Sequence, residues 1–253
     1  MPERVKILDT TLRDGEQTPN VALSVDDKLK IAQALDELGA DIIEAGFAVN
    51  SEGEAEAVKR IAGAGLKSEV CSLCRAAPQD IDAALACDVD SVHIFLATSK
   101  VHLEKKLKIT QQEAVEKAAA AVQYAKQHGL VVEFSCEDAT RTDLSFLSVV
   151  HKAVEGAGAD RIDIPDTVGV MTPQAMMQFV AEVRKSTKVP LAVHCHDDFG
   201  LSVANSLAGV LGGAEEVHVT VNGLGERAGN AAMEEVVMGL QAFYGLRTRI
   251  NTR

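Results

Sequence analysis

At 253 residues and 47% hydrophobic composition, the chain can bury a large core, and barrels of alternating strands and helices commonly form one domain at this length. A formal net charge of −12 repels phosphate backbones and anionic lipid surfaces, so nucleic acid and membrane are excluded as expected partners and small molecules remain. The first residues, MPERVKILDT, carry Glu3, Arg4 and Lys6 and no apolar run long enough for a signal or a span, and five dispersed cysteines read as reduced thiols. A soluble, cytoplasmic protein is expected.

In chain order, short β-branched runs alternate with longer helical patterns eight times. Strands are expected over Val5 to Thr11, Asp41 to Phe47, Glu69 to Cys74, Ser91 to Thr98, Val131 to Glu137, Arg161 to Thr167, Leu191 to Asp197 and Glu216 to Gly223. Helix starts fall at Ser24 and at Thr172-Pro173, and the last helix is expected over Ala231 to Phe243. "LGADIIEAG", "GAGADRIDIPD" and "GGAEEVHVTVNG" form a weak repeat in which a helix ends on glycine and a strand opens through an acidic residue. Eight such units imply a parallel sheet closed into a single (β/α)8 barrel over residues 1–253.

Both faces of a barrel strand are buried, so polar residues within strands need a reason. A period of two puts His194 with His196, Ser135 with Glu137, and His218 with Thr220 and Asn222, each set on one face; His93 and Glu44 obey the same rule. The shared parity predicts an interior that is polar at its carboxyl end, where barrel enzymes place their chemistry. The stretch "DTTLRDGEQTP" leaves the first strand at that end, which puts Arg13 and Asp14 over the mouth.

His194 and His196 on one strand face can present two imidazoles to one cation, and Asp14 offers a hard oxygen from across the barrel. Two histidines and a carboxylate suit Zn²⁺, Mn²⁺ or a similar divalent ion; without one, the same residues would be hydrogen-bonded interior side chains. Cys195 lies on the opposite face. Cys71-x-x-Cys74 sits in a strand with no second CxxC and reads as buried, inert thiol. "NGLGERAGN", Asn222 to Asn230, either turns the chain or cradles phosphate. Lys100, Lys105, Lys106 and Lys108 follow the fourth strand as either a solvated helix start or a landing site for coenzyme phosphates.

"LDTTLRDGEQTP", "EDATRTD", "IPDTVGVMTP" and "HCHDDFGLSVANSLAGVLGGAEEVHVTVNGLGERAGNAAMEE" resemble, over essentially the whole chain, the DRE-TIM metallolyase superfamily of TIM-barrel enzymes. The resemblance is to its 2-isopropylmalate, homocitrate and citramalate synthase branch. It implies a Claisen condensation in which acetyl-CoA adds to the ketone of a metal-chelated 2-oxo acid and thioester hydrolysis releases CoA. The cofactor would be a divalent ion (Zn²⁺, Mn²⁺ or Mg²⁺), held by Asp14, His194 and His196 with Asn230 as further ligand or close neighbour. Arg13 would stabilise the alkoxide, His93, Ser135 and Thr167 would contact the 2-oxo acid, and Glu137 would help handle the acetyl methyl proton. A homodimer is also implied. Those synthases continue past the barrel into a subdomain whose histidine and tyrosine act with the glutamate, whereas this sequence stops at Arg253. The expectation is a metal-dependent acyltransferase of the 2-isopropylmalate synthase type, or its catalytic barrel, and a truncated barrel that binds metal and 2-oxo acid without turnover is one alternative. Carbon-carbon cleavage, as in the lyase and aldolase members, is the nearest alternative.

Overall fold

Every expected strand is present, in a computed structural model that describes residues 2–253. In chain order the elements are β1 (Lys6–Asp9), α1 (Val25–Leu38), β2 (Ile42–Gly46), α2 (Glu52–Ala62), β3 (Glu69–Arg75), α3 (Pro78–Leu85), β4 (Ser91–Ala97) and α4 (Gln111–Gln127). They continue with β5 (Val131–Glu137), α5 (Leu144–Ala157), β6 (Arg161–Asp166), α6 (Pro173–Arg184), β7 (Leu191–Cys195), α7 (Ser202–Gly212), β8 (Glu216–Val219) and α8 (Met233–Tyr244). The strands pair in sequence order, all parallel, and β1 against β8 closes a (β/α)8 barrel.

Local chemistry sets the helix boundaries. Ser24 accepts from the Asp27 amide while the Asp27 carboxylate reaches back to Ser24, a reciprocal cap that starts α1. Thr172 caps α6 ahead of Pro173, whose missing N–H is harmless in a first turn. Gly39 closes α1 at φ 100°, a conformation a side chain would resist.

Outward strand residues such as Ile7, Ile43, Phe134, Ile162, Val193 and Val217 join the helices in one continuous core. Inside the barrel, only Leu8, Ile42 and Cys71 form a separate apolar cluster. Cys71 points inward and Cys74 joins the outer core, so the CxxC pair straddles the sheet and cannot share an ion; all five cysteines are buried and free.

Three expectations are corrected. β1 and β8 end earlier than their sequence patterns: the Asp9 carboxylate accepts from Thr11 N (2.9 Å) and turns the chain, and residues 221–223 coil into a short 3₁₀ turn. Asn222, at φ 58° in that turn, is exposed and does not share the inward face of His218 and Thr220. Nor is the polar interior confined to the carboxyl end. Near the strand starts, Arg161 donates to Glu133 (3.0 Å) and Glu69 (2.7 Å) and approaches Glu216 (3.6 Å), a buried ionic layer across the barrel.

Candidate metal centre and active site

The turn after β1 is tightly wound because one carbonyl, that of Thr10, accepts from the amides of Arg13, Asp14 and Gly15. The Thr10 hydroxyl donates to Glu44 Oε2 at 2.6 Å, joining this turn to β2. Arg13 donates through Nε to the same Glu44 oxygen (2.7 Å) and through Nη1 to Asp14 Oδ2 (2.8 Å). Its Nη2 makes no hydrogen bond among the described residues. Burial opposes ionisation of Asp14 and Glu44 and is the largest single influence, but the Arg13 charge together with His194 and His196 at Asp14, and with His93 and Thr10 at Glu44, overcomes it, and both carboxyls are held below the usual carboxylate range.

Across the mouth, β7 delivers His194 and His196 from the same face. The two Nε2 atoms lie 3.3 Å apart, and they stand 3.5 and 3.9 Å from Asp14 Oδ2. Donors held about 2.0–2.1 Å from one Zn²⁺ at tetrahedral angles would be spaced by roughly 3.4 Å, so the three fit a shared divalent cation with little movement. Two imidazole nitrogens this close repel unless a proton or a cation lies between them. Burial, then the neighbouring His194, pushes the His196 pKa down to about 3, leaving a neutral ring with a lone pair to give.

Asn230 sits beside this set through a backbone bridge to His196. Its Nδ2 donates to Asp14 Oδ1 (2.9 Å), and its Oδ1 is buried with no hydrogen-bond partner among the described residues. The structure thus makes Asn230 a close neighbour of the donor set. The "NGLGERAGN" loop covers the same spot. Gly225 N and Glu226 N donate to Thr18 Oγ1 and Asp14 Oδ1, and a Cβ on Gly225 would lie 2.0 Å from Asn230 Nδ2. With those amides engaged inside the protein, the loop is a turn packed on the donor set and not a phosphate cradle.

A cavity of about 500 Å³ opens above these residues. His93 lines it, with Nδ1 2.8 Å from Glu44 Oε1 and Nε2 buried 3.9 Å from Asp163 Oδ2, without a hydrogen bond among the described residues. Ser135 hydrogen-bonds Asp163, and Thr167 Oγ1 accepts from the Asp138 amide (2.9 Å), which leaves its own proton to donate. Glu137 also lines the cavity, but Lys106 Nζ holds both its oxygens, at 2.6 and 2.8 Å. Of the lysine group only Lys106 reaches the cavity; Lys100 is exposed and nearest Glu104.

A second buried set, Glu133, Glu216 and His218, lies deeper in the barrel. There His218 Nε2 is 2.7 Å from Glu133 Oε1, an ion-pair contact closer than two donors flanking an ion would keep. Burial disfavours the imidazolium, yet Asp163 and Glu133 prevail and raise the His218 pKa well above the ordinary value. This set is a cluster of ion pairs among His218, Glu133, Glu216 and Arg161. The two sets therefore differ: the upper one has a gap of cation size and the lower one has none.

Comparison with known proteins identifies the family. The HMGL-like family model matches residues 4–253. The chain belongs to the HMGL-like family. It is 56% identical over 253 residues to a protein named 2-isopropylmalate synthase from Methanocaldococcus jannaschii, covering 100% of this chain and 49% of that one. It is 55% identical over 246 residues to an (R)-citramalate synthase of the same organism (97% and 50% covered). A homocitrate synthase of Methanopyrus kandleri is 55% identical over 252 residues (100% and 64%). A crystal structure of hydroxymethylglutaryl-CoA lyase from Pseudomonas aeruginosa superposes with a TM-score of 0.85 at 25% identity, covering 99% of this chain and 89% of that one. The chain spans about half the length of the first curated relatives it matches.

Within this HMGL-like barrel, sequence reasoning missed two groups. Asp163 shares the inward parity of Thr167 and could have been found by it, but it stands in a segment that reads as an acidic strand entry. Lys28 gave no signal, because "VDDKLK" has the composition of a solvated helix face.

Proposed function

We propose that this site condenses acetyl-CoA with a 2-oxo acid, in the manner of a 2-isopropylmalate synthase. The observation that carries the reading is the spacing of Asp14, His194 and His196 around one point, with Arg13 adjoining Asp14 at the floor of a cavity. A divalent cation held by those three, with Asn230 beside them, would supply Lewis-acid polarisation of a 2-oxo acid chelated through its carboxylate and ketone oxygens. Arg13, fixed by Glu44 and permanently charged, has Nη2 left for the oxygen that becomes an alkoxide when the acetyl methyl carbon bonds to the ketone carbon. His93 Nε2 and the Thr167 hydroxyl are unspent groups on the cavity wall, suited to the substrate carboxylate. Leu73, Phe95 and Phe47 give the cavity an apolar part, with the two rings edge to face at 6.4 Å. That part favours an apolar substituent, as in 2-oxoisovalerate or pyruvate, over the second carboxylate of 2-oxoglutarate.

Glu137 supports a second reading. Lys106 Nζ engages both oxygens of this carboxylate, so Glu137 must leave the lysine before it can reach an acetyl methyl proton, and this barrel would bind metal and 2-oxo acid while condensing poorly. Thiol release with Mn²⁺ or Zn²⁺, acetyl-CoA and a panel of keto acids separates the two. Release that is faster with 2-oxoisovalerate or pyruvate than with 2-oxoglutarate supports the synthase. Metal-dependent keto-acid binding without thiol supports the second reading, and no binding of any keto acid removes both.

A further inference from the structure

Lys28, on α1, is one of the largest wholly buried side chains, with 1% of its surface exposed. Its ammonium donates to the Leu12 carbonyl at 3.2 Å and to Glu54 Oε1, and it pairs with the Glu16 carboxylate, Oε2 lying 2.5 Å away. The positions of those acceptors are informative. Leu12 immediately precedes Arg13, and Glu16 follows Asp14 by two residues. Glu54 belongs to α2, and its other oxygen accepts from Phe47 N (3.2 Å) just past the strand that bears Glu44. A Cβ at Gly46 would lie 2.6 Å from that oxygen, so only glycine lets the carboxylate press against the end of β2. Glu16 in turn accepts from Leu23 N at 2.9 Å, tying down the far side of its loop. One ammonium thus brackets the Arg13-Asp14 pair on both sides and fastens it to the strand whose Glu44 receives Arg13.

Stability alone does not call for this arrangement. Burying an ammonium against two carboxylates that keep 22% and 21% exposure costs solvation, and well-packed apolar residues of similar volume commonly stabilise as well. What ions provide here is a fixed geometry between the turn after β1 and the end of β2, added to the bonds that Arg13 and Thr10 make to Glu44. We propose that Lys28 is a positioning residue of the metal centre, holding Asp14 at cation distance from His194 and His196 without touching ion or substrate. This inference rests on the metal-centre reading above.

The test uses Co²⁺ alone as a probe, read by its visible absorption and by calorimetric affinity in the intact chain. The triple variant Lys28→Met, Glu16→Gln, Glu54→Gln removes the three charges together, so no buried carboxylate is left uncompensated. Glu54→Gln alone is the milder arm should the triple variant not fold. At matched thermal stability, both are expected to bind Co²⁺ more weakly, the triple by tenfold or more, with an altered absorption band. A well-folded variant that keeps the parent's affinity and spectrum overturns the positioning role and leaves the metal centre intact. A parent chain that binds no Co²⁺ overturns the metal-centre reading, and this inference falls with it.

Discussion

His194 Nε2 stands 3.5 Å from Asp14 Oδ2, across the barrel mouth and from the opposite end of the chain. Nothing but barrel closure brings them together, and their separation matches two donors on one cation. Chelation is therefore expected to abolish 2-oxo-acid binding, because the ion supplies the chelating contact. Calorimetry in excess EDTA that gives an unchanged affinity would remove the ion from substrate binding. His196→Ala should lose the bound divalent metal, since two remaining protein ligands hold it poorly; stoichiometric metal by elemental analysis would contradict this.

The eight strands were legible because a period of two and β-branched runs survive in every one of them, and the inward parity of His93, Ser135, Glu137, His194 and His196 followed directly. Parity failed at Asn222, where the strand had already ended in a turn that no periodicity announces. The buried charges were harder to see for a shared reason. Glu69, Arg161 and Glu216 open their strands, where charged residues usually meet solvent, and Lys28 lies among helix residues of surface composition. Their burial depends on partners contributed by other units, and a linear reading has no access to those partners.

Arg13 Nε and Nη1 are occupied by Glu44 and Asp14, so its remaining amine is the group available to a developing oxyanion. Arg13→Ala should lower thiol release by about 10² or more, the scale of losing an oxyanion donor. A near-normal rate with an intact metal site would take Arg13 out of the chemistry.

Gly225 has no room for a side chain: a Cβ would lie 2.0 Å from Asn230 Nδ2 and 2.9 Å from Asp14 Oδ1. Gly225→Ala must displace the loop, the carboxamide or the carboxylate, all of which adjoin the donor set. Metal affinity is expected to fall by tenfold or more, while the circular dichroism and the melting temperature stay near those of the parent. Equal metal affinity in the two proteins would show that the loop yields without disturbing Asp14.

His151, on α5, is fully buried and neither ring nitrogen has a hydrogen-bond partner among the described residues. Burial pushes its pKa from 6.5 down to about 4, with Glu155 opposing, so the folded chain holds it neutral where the unfolded chain would protonate it. Between those two values the unfolded state binds more protons, and this residue's contribution makes stability fall as pH drops from about 6.5 toward 4. Asp9 and Glu216, with carboxyls raised to about 7 by burial, act in the opposite direction, so the parent's net profile is a sum of both. A difference measurement isolates the histidine. His151→Leu, compared with the parent by urea unfolding at pH 7.5 and pH 5, should gain about 2 kcal/mol relative to it on going to the lower pH. Parallel pH profiles for the two proteins would mean that His151 is solvated or paired in the folded state.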